Sequence, residues 1–151
     1  MDAMRCMILV AKSPQDYQAF QISPGDTNKL AIIFDSATAN ISLTVCVEIF
    51  DSGGKTPPNR HQRAVEMFFI LKGKGKAICD GKTVKIKARD SLLVPPTRTH
   101  VIENTGNTRL YALCIMPNED FTELIRSGIP VDLDEEDIAV LCRNCQVLIP
   151  A

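Results

Sequence analysis

GGKTPPNRHQRAVEMFFILKGKGKAICDGKTVKIKARDSLLVPPTRTHVIEN, residues 53–104, is the stretch on which the reading of this chain turns. It holds both histidines of the protein, His61 and His100, and a carboxylate, Glu66, close behind the first. A proline-rich loop leads into His61, and Glu66 opens an apolar run, EMFFIL. A lysine- and glycine-rich turn follows, then Asp80-Gly81, the strongest short hairpin signal in the chain. The chain returns through Pro95 and Pro96 to His100. Two imidazoles and one carboxylate brought together from separate strands are a natural ligand set for a divalent transition metal.

On either side the pattern is that of short strands. A first strand is expected over residues 6–11, a loose alternation over residues 17–23 ends at Pro24-Gly25-Asp26, and KLAIIFD (residues 29–35) is a second apolar run. The clearest alternation covers residues 41–50, with Ile41, Leu43, Val45, Val47 and Ile49 on one face and Ser42, Thr44, Cys46 and Glu48 on the other. Residues 66–71, 76–79, 82–87, 91–94, 100–103 and 110–116 complete the set, with 91–94 read as a short buried strand. Regularly spaced short strands with turn signals between them point to an antiparallel barrel or jelly roll. After Pro117 the period changes. Asn118 is placed to cap a short helix over residues 119–126, closed by Gly128, and Asp132 or Asp134 to start a second, with Ile138 and Leu141 apolar.

Composition narrows the function classes. The 151 residues are enough for one domain with its own core, and 45% hydrophobic with 23% charged residues is ordinary for a globular protein. A net charge of −1 and a sequence pI near 6.1 offer no electrostatic argument for nucleic acid or an anionic membrane. The absence of Trp and the 5% aromatic content leave no base-stacking platform. The apolar run at the N-terminus is too short to span a bilayer. Six cysteines, at 6, 46, 79, 114, 142 and 145, show no tight disulfide framework, so a reduced cytoplasmic protein is expected. Cys142 and Cys145 form a single CxxC, readable as a redox pair, half a zinc site or an unpaired thiol pair.

The 53–104 stretch resembles the cupin superfamily. That family's first motif runs Gly, His-x-His, Glu, Gly, and here Gly53, Asn59, His61, Glu66 and Gly73 take those places. Its second motif runs Gly, Pro, Gly, His, Asn, and here Arg89, Pro95, Thr97, His100 and Asn104 take them. Arg89 and Thr97 replace glycines, and Asn59 replaces the first histidine. The resemblance implies an all-β double-stranded β-helix, a jelly-roll barrel with short C-terminal helices. It is read as a single cupin domain over residues 1–151, with a barrel core at about 17–117 and a helical segment at about 118–145.

Carried across residue by residue, the resemblance makes His61, Glu66 and His100 metal ligands and Asn59 a fourth position, where an amide is a weak donor. Two histidines and a carboxylate leave coordination positions open. Fe(II) suits such a set, and Zn, Ni and Mn are chemically compatible. The expected function is a metal-binding cupin acting on a small molecule, as a mononuclear dioxygenase or isomerase with Glu66 doubling as a base. The alternative is a non-catalytic binding or sensing cupin with a degenerate metal site. Arg60 and Arg63, which flank His61, are read as solvated surface groups or contacts to an anion. Alternation suggests Phe68, Ile70, Tyr111 and Leu113 as barrel lining. Apolar residues on both faces of EMFFIL and of LYALCIM predict a homodimer, or cover by the two N-terminal strands.

Overall fold

A computed structural model describes residues 9–144 of the chain. After a single turn of 3-10 helix at Pro14–Asp16, the elements in order are β1 (Gln18–Gln21), β2 (Asn28–Phe34), β3 (Leu43–Phe50), β4 (Glu66–Lys72), β5 (Lys74–Cys79), β6 (Lys82–Lys87), β7 (Ser91–Val94), β8 (His100–Asn104), β9 (Leu110–Pro117), α1 (Phe121–Arg126), β10 (Ile129–Val131) and α2 (Glu135–Asn144). The strands form a seven-stranded sheet in the order β10-β1-β2-β3-β9-β4-β7 and a three-stranded sheet in the order β6-β5-β8. Every pairing is antiparallel. The all-β jelly-roll architecture is as expected, with the two sheets packed on a shared core.

Local chemistry explains how the chain moves between the sheets. Gly73 separates β4 from β5 with φ +93, in the left-handed region, and an added Cβ would sit 2.8 Å from the Arg109 carbonyl oxygen. Asp80 (φ 47) and Gly81 (φ 80) make the two-residue turn that pairs β5 with β6, as the Asp-Gly dipeptide predicts. The loop after β3 adds two isolated bridges to β8, Lys55 to Glu103 and Asn59 to His100, and so becomes a ragged outer neighbour of the small sheet.

Phe20, Leu30, Ile32, Cys46, Phe50, Phe68, Ile70, Ala77, Ile86, Ile102, Ala112 and Cys114, from both sheets, form the interior. On β3 this inward face is the mixed one: Thr44, Cys46, Glu48 and Phe50 are all buried. The apolar face of the same strand turns outward, where Val47 and Ile49 join Tyr111, Val140 and Leu141 in a second cluster beneath α2. Tyr111 and Leu113 therefore do not line the barrel. The strand alternates, and Ala112 and Cys114 hold the inward positions of β9. Among the described residues the outer face of the large sheet is covered in part by α2, and the first of the two N-terminal strands expected there lies mostly outside them.

Other boundaries shift for physical reasons. The expected strand over residues 6–11 lies mostly outside the described residues, and Leu9 to Ala11 are not in a strand. β7 is an edge strand rather than a buried one: Leu93 is 59% exposed, while Val94 points inward. α1 starts at Phe121 rather than at residue 119, with Asp120 in the N-cap position, and Asn118, the expected cap, accepts from the Thr122 amide at 3.3 Å from two residues further out. α2 begins at the second of the two aspartates proposed to start it. Asp134 and Asp137 bond reciprocally, Asp137 N to Asp134 Oδ1 at 3.0 Å and Asp134 N to Asp137 Oδ2 at 3.2 Å, in the manner of a capping box. The short strand β10, which pairs with β1, carried no expectation. At three residues with a central proline, it shows no alternation to read. Among the described residues, no helix is long and apolar enough to cross a membrane.

Candidate metal centre

The first residue of β4, the first residue of β8 and the loop before β4 meet inside the barrel. Glu66 and His100 are buried at 2% and 4% exposure, and His61 is half-buried. Glu66 Oε2 lies 2.8 Å from His100 Nε2 and 3.3 Å from His61 Nε2. The ring centroids of His61 and His100 are 6.1 Å apart. The three ligand atoms lie within 4.8 Å of one another, close enough to share one ion.

These approaches are short without being well-formed hydrogen bonds. Glu66 Oε2 and His61 Nε2 are both buried, and neither has a hydrogen-bond partner. Buried polar atoms are almost always partnered, so lone pairs that converge without bonding each other fit a cation between them. The surroundings orient the same set. His100 Nδ1 lies 3.2 Å from the Arg98 carbonyl oxygen, which engages that nitrogen as a donor, so that the neutral imidazole keeps its lone pair on Nε2, the nitrogen beside Glu66. His61 stacks edge-on against Phe121 at 5.6 Å. Cys114 donates its thiol to the other oxygen of Glu66 at 3.2 Å.

The electrostatics favour an ionised Glu66. Burial works against its charge, but the imidazoles of His100 and His61 beside it prevail and bring its pKa down to about 2. The converse holds at His100, where burial opposes protonation and the neighbouring Glu66 outweighs it, raising the pKa. A metal at this point must therefore displace a proton, as imidazole ligands require.

Sequence reasoning missed one group at this site. Glu48 is 4% exposed and lies on the same cavity wall. Burial and the charge of Glu66 push its pKa up to about 8. In β3 Glu48 shares its face with Thr44 and Cys46, and alternation alone turns the apolar face, not this mixed one, toward the core.

Asn59, the remaining motif position, is placed by backbone pairing. Its N–H donates to the His100 carbonyl at 3.2 Å and its carbonyl accepts from the His100 N–H at 2.9 Å. Its side-chain amide donates to the Pro57 carbonyl at 3.0 Å. The glycine positions of the second motif keep their geometry without glycine. Arg89 has φ 78 and Thr97 φ 69, and Thr97 N donates to the His61 carbonyl at 2.6 Å. A β-branched residue in the left-handed region is strained. Thr97→Gly is therefore expected to raise stability by about 1 kcal/mol in urea unfolding. A loss of stability would show that the threonine side chain makes up for the strain.

A cavity of about 440 Å³ opens onto this centre. Its buried lining carries Glu48, Glu66, His100 and Phe121 with the half-buried His61, and Pro57 and Leu124 are its exposed, apolar rim. Phe68 lines it as expected, whereas Ile70 belongs to the core behind. Arg60 stands at the mouth, and Arg63 is engaged with Glu119 at 3.1 Å.

Residues 46–116 match the family model for the cupin domain, a span running from the middle of β3 through β9 and including every residue of the cluster. The chain belongs to the cupin superfamily. This cupin is 37% identical over 98 residues to an uncharacterized protein of Methanocaldococcus jannaschii, covering 62% of the chain and 78% of that protein. It is 38% identical over 68 residues to an oxalate-binding protein of Thermotoga maritima, covering 41% of the chain and 56% of that protein, a little over half its length. Among solved structures, a predicted oxalate decarboxylase from Thermotoga maritima superposes with a TM-score of 0.63 at 25% identity, over 72% of the chain and 98% of that structure. A cupin-2 domain protein from Rhodospirillum rubrum superposes at 0.62 and 18% identity, over 91% and 88%, and shows the fold alone.

Proposed function

We propose that this cupin is a single-domain metal protein that binds one divalent ion through His61, Glu66 and His100 and takes a small oxygen-donor ligand into the cavity above it. The observation that carries the reading is the buried, unpartnered pair Glu66 Oε2 and His61 Nε2 facing His100 Nε2. Three protein ligands leave coordination positions free, and a bound Fe, Mn, Ni or Zn ion would supply Lewis-acid polarisation of a ligand oxygen or a place for dioxygen. A carboxyl held at about 2 is a feeble proton acceptor, which argues for Glu66 as a ligand before any general-base role. The protein contributes a fixed imidazole tautomer at His100, an apolar mouth that thins water over the centre, and Arg60 at the rim to attract an anion. The similarity to an oxalate-binding protein supports small carboxylates as the first ligands to try. Dioxygenase or isomerase chemistry is the enzymatic form of the proposal.

A non-catalytic binding or sensing role is the second reading, favoured by Asn59 in place of a ligand histidine and by its amide turning to Pro57. The outer strip of Leu43, Phe69 and Leu93, each 40% exposed or more, is where we place the homodimer contact. Thermal shift with oxalate and other small carboxylates, on protein loaded with Mn(II) or stripped by chelator, tests the function. The expected result is a ligand-induced rise in melting temperature only when metal is present. Product formation would assign the enzyme, and stabilisation without product the binding module. Equal stabilisation with and without metal would contradict the metal-dependent reading and leave the binding module with a degenerate metal site.

A further inference from the structure

The cavity has a second polar region, carried by β2 and the loop after β3, that the metal cluster does not use. Asn28 is 6% exposed and shares its face of β2 with Leu30, so it points into the barrel, and both residues line the cavity. Its Nδ2 donates to Glu48 Oε2 at 3.4 Å, which sets the direction of the amide. Its Oδ1 is buried and accepts no hydrogen bond. Thr56 lies alongside, because Thr27 and Lys55 bond reciprocally between the two segments, at 2.9 Å and 3.2 Å. Thr56 Oγ1 accepts from the Ile102 N–H at 3.1 Å, and its own hydroxyl proton has no acceptor among the described residues. No cation among the described residues pairs with Glu48, and Lys29 turns to the opposite face to meet Asp137.

The cavity lining thus offers an acceptor without a donor on β2 and, across the Thr27–Lys55 pairing, a donor without an acceptor. An alcohol satisfies both at once, since its oxygen accepts from Thr56 while its proton goes to Asn28. An ammonium meets only the first need, and a bare carboxylate only the second. We propose that the ligand of this cavity is a hydroxy acid, with a carboxylate directed to the metal centre and a hydroxyl seated between Asn28 and Thr56. The inference rests on the proposed metal-dependent ligand site and narrows its ligand class. A site built to bond a hydroxyl rejects the analogue that lacks it, because its own buried groups are then left unpartnered.

Calorimetric titration of Mn(II)-loaded protein with succinate, malate and tartrate tests this, since the three differ only in hydroxyl number. Wild type is expected to prefer malate or tartrate to succinate by at least about tenfold. A hydroxyl also helps an acid chelate a free metal, so the decisive readout is the change in that preference in Asn28→Leu and in Thr56→Val. Both variants should bring it to within about twofold of the ratio for Mn(II) alone, with metal content held. A preference unchanged in both folded variants, a wild type that favours succinate, or no binding of any of the three overturns the proposal. Elemental analysis of the same samples separates the two claims. Metal bound without hydroxyl preference defeats only the hydroxy-acid site. Absent metal defeats the metal reading, and the same ratios on metal-free protein then judge the hydroxyl site alone.

Discussion

Replacing Asp137 with alanine is expected to destabilise the fold by about 3 kcal/mol or more, the cost of breaking a buried charged network from one side. Asp137 is fully buried in the first turn of α2. Its Oδ1 accepts from the Tyr111 hydroxyl at 2.9 Å and from Arg109 at 3.0 Å, and its Oδ2 pairs with Lys29 and accepts from the Asp134 N–H. Alanine leaves the buried Tyr111 hydroxyl without an acceptor and removes half of the helix cap. Arg109 retains Asp51 at 3.2 Å and Asp134 at 2.6 Å, which keeps the loss from running higher. Urea unfolding measures it, with exposed Asp132→Ala as a control expected within about 0.5 kcal/mol of wild type. A loss below about 1 kcal/mol at Asp137 would mean that α2 is held by its apolar contacts alone.

His100→Ala is expected to weaken divalent metal binding by more than about 100-fold, since even loss of a group behind a ligand costs 10–100-fold. The variant removes the imidazole closest to Glu66 and the one whose orientation the Arg98 carbonyl sets. Competition titration against a chromophoric chelator reads the affinity. The same titration in wild type should weaken as the pH falls. The folded pKa of His100 is raised, so its proton competes with the metal below that value, and the competition fades as the pH rises through it. An affinity in His100→Ala within a few-fold of wild type would remove His100 from the ligand set.

The ease with which the fold was read came from alternation and turn chemistry. Asp80-Gly81 announced the β5–β6 hairpin, and the strand bounds of β3, β4 and β9 fall within two residues of the sequence pattern at each end. Facing was harder. Tyr111 looked like barrel lining because alternation tells which residues share a face and not which face is inside. That is settled by α2, whose Val140 and Leu141 cover the outer side from far along the chain. Glu48 was missed for the same reason, since its strand is buried on both faces and the mixed face is the inner one. His61, Glu66 and His100 were legible because two histidines and a carboxylate stood at motif spacing. The meeting of their ligand atoms depended on the pairing of Asn59 with His100 and on the turn at Thr97, neither of which periodicity reports. Cys145 lies outside the described residues. Cys142 is half-buried and has no disulfide partner among the described residues, and the CxxC retains its alternative readings.

The central claim is that His61, Glu66 and His100 form a metal centre although Asn59 stands where a fourth ligand would be. Elemental analysis tests it most directly, on wild-type protein incubated separately with Fe(II), Mn(II), Ni(II) and Zn(II) and freed of excess metal by gel filtration. The account predicts close to one ion per chain for at least one of these metals. A wild type that emerges empty from all of them would contradict it.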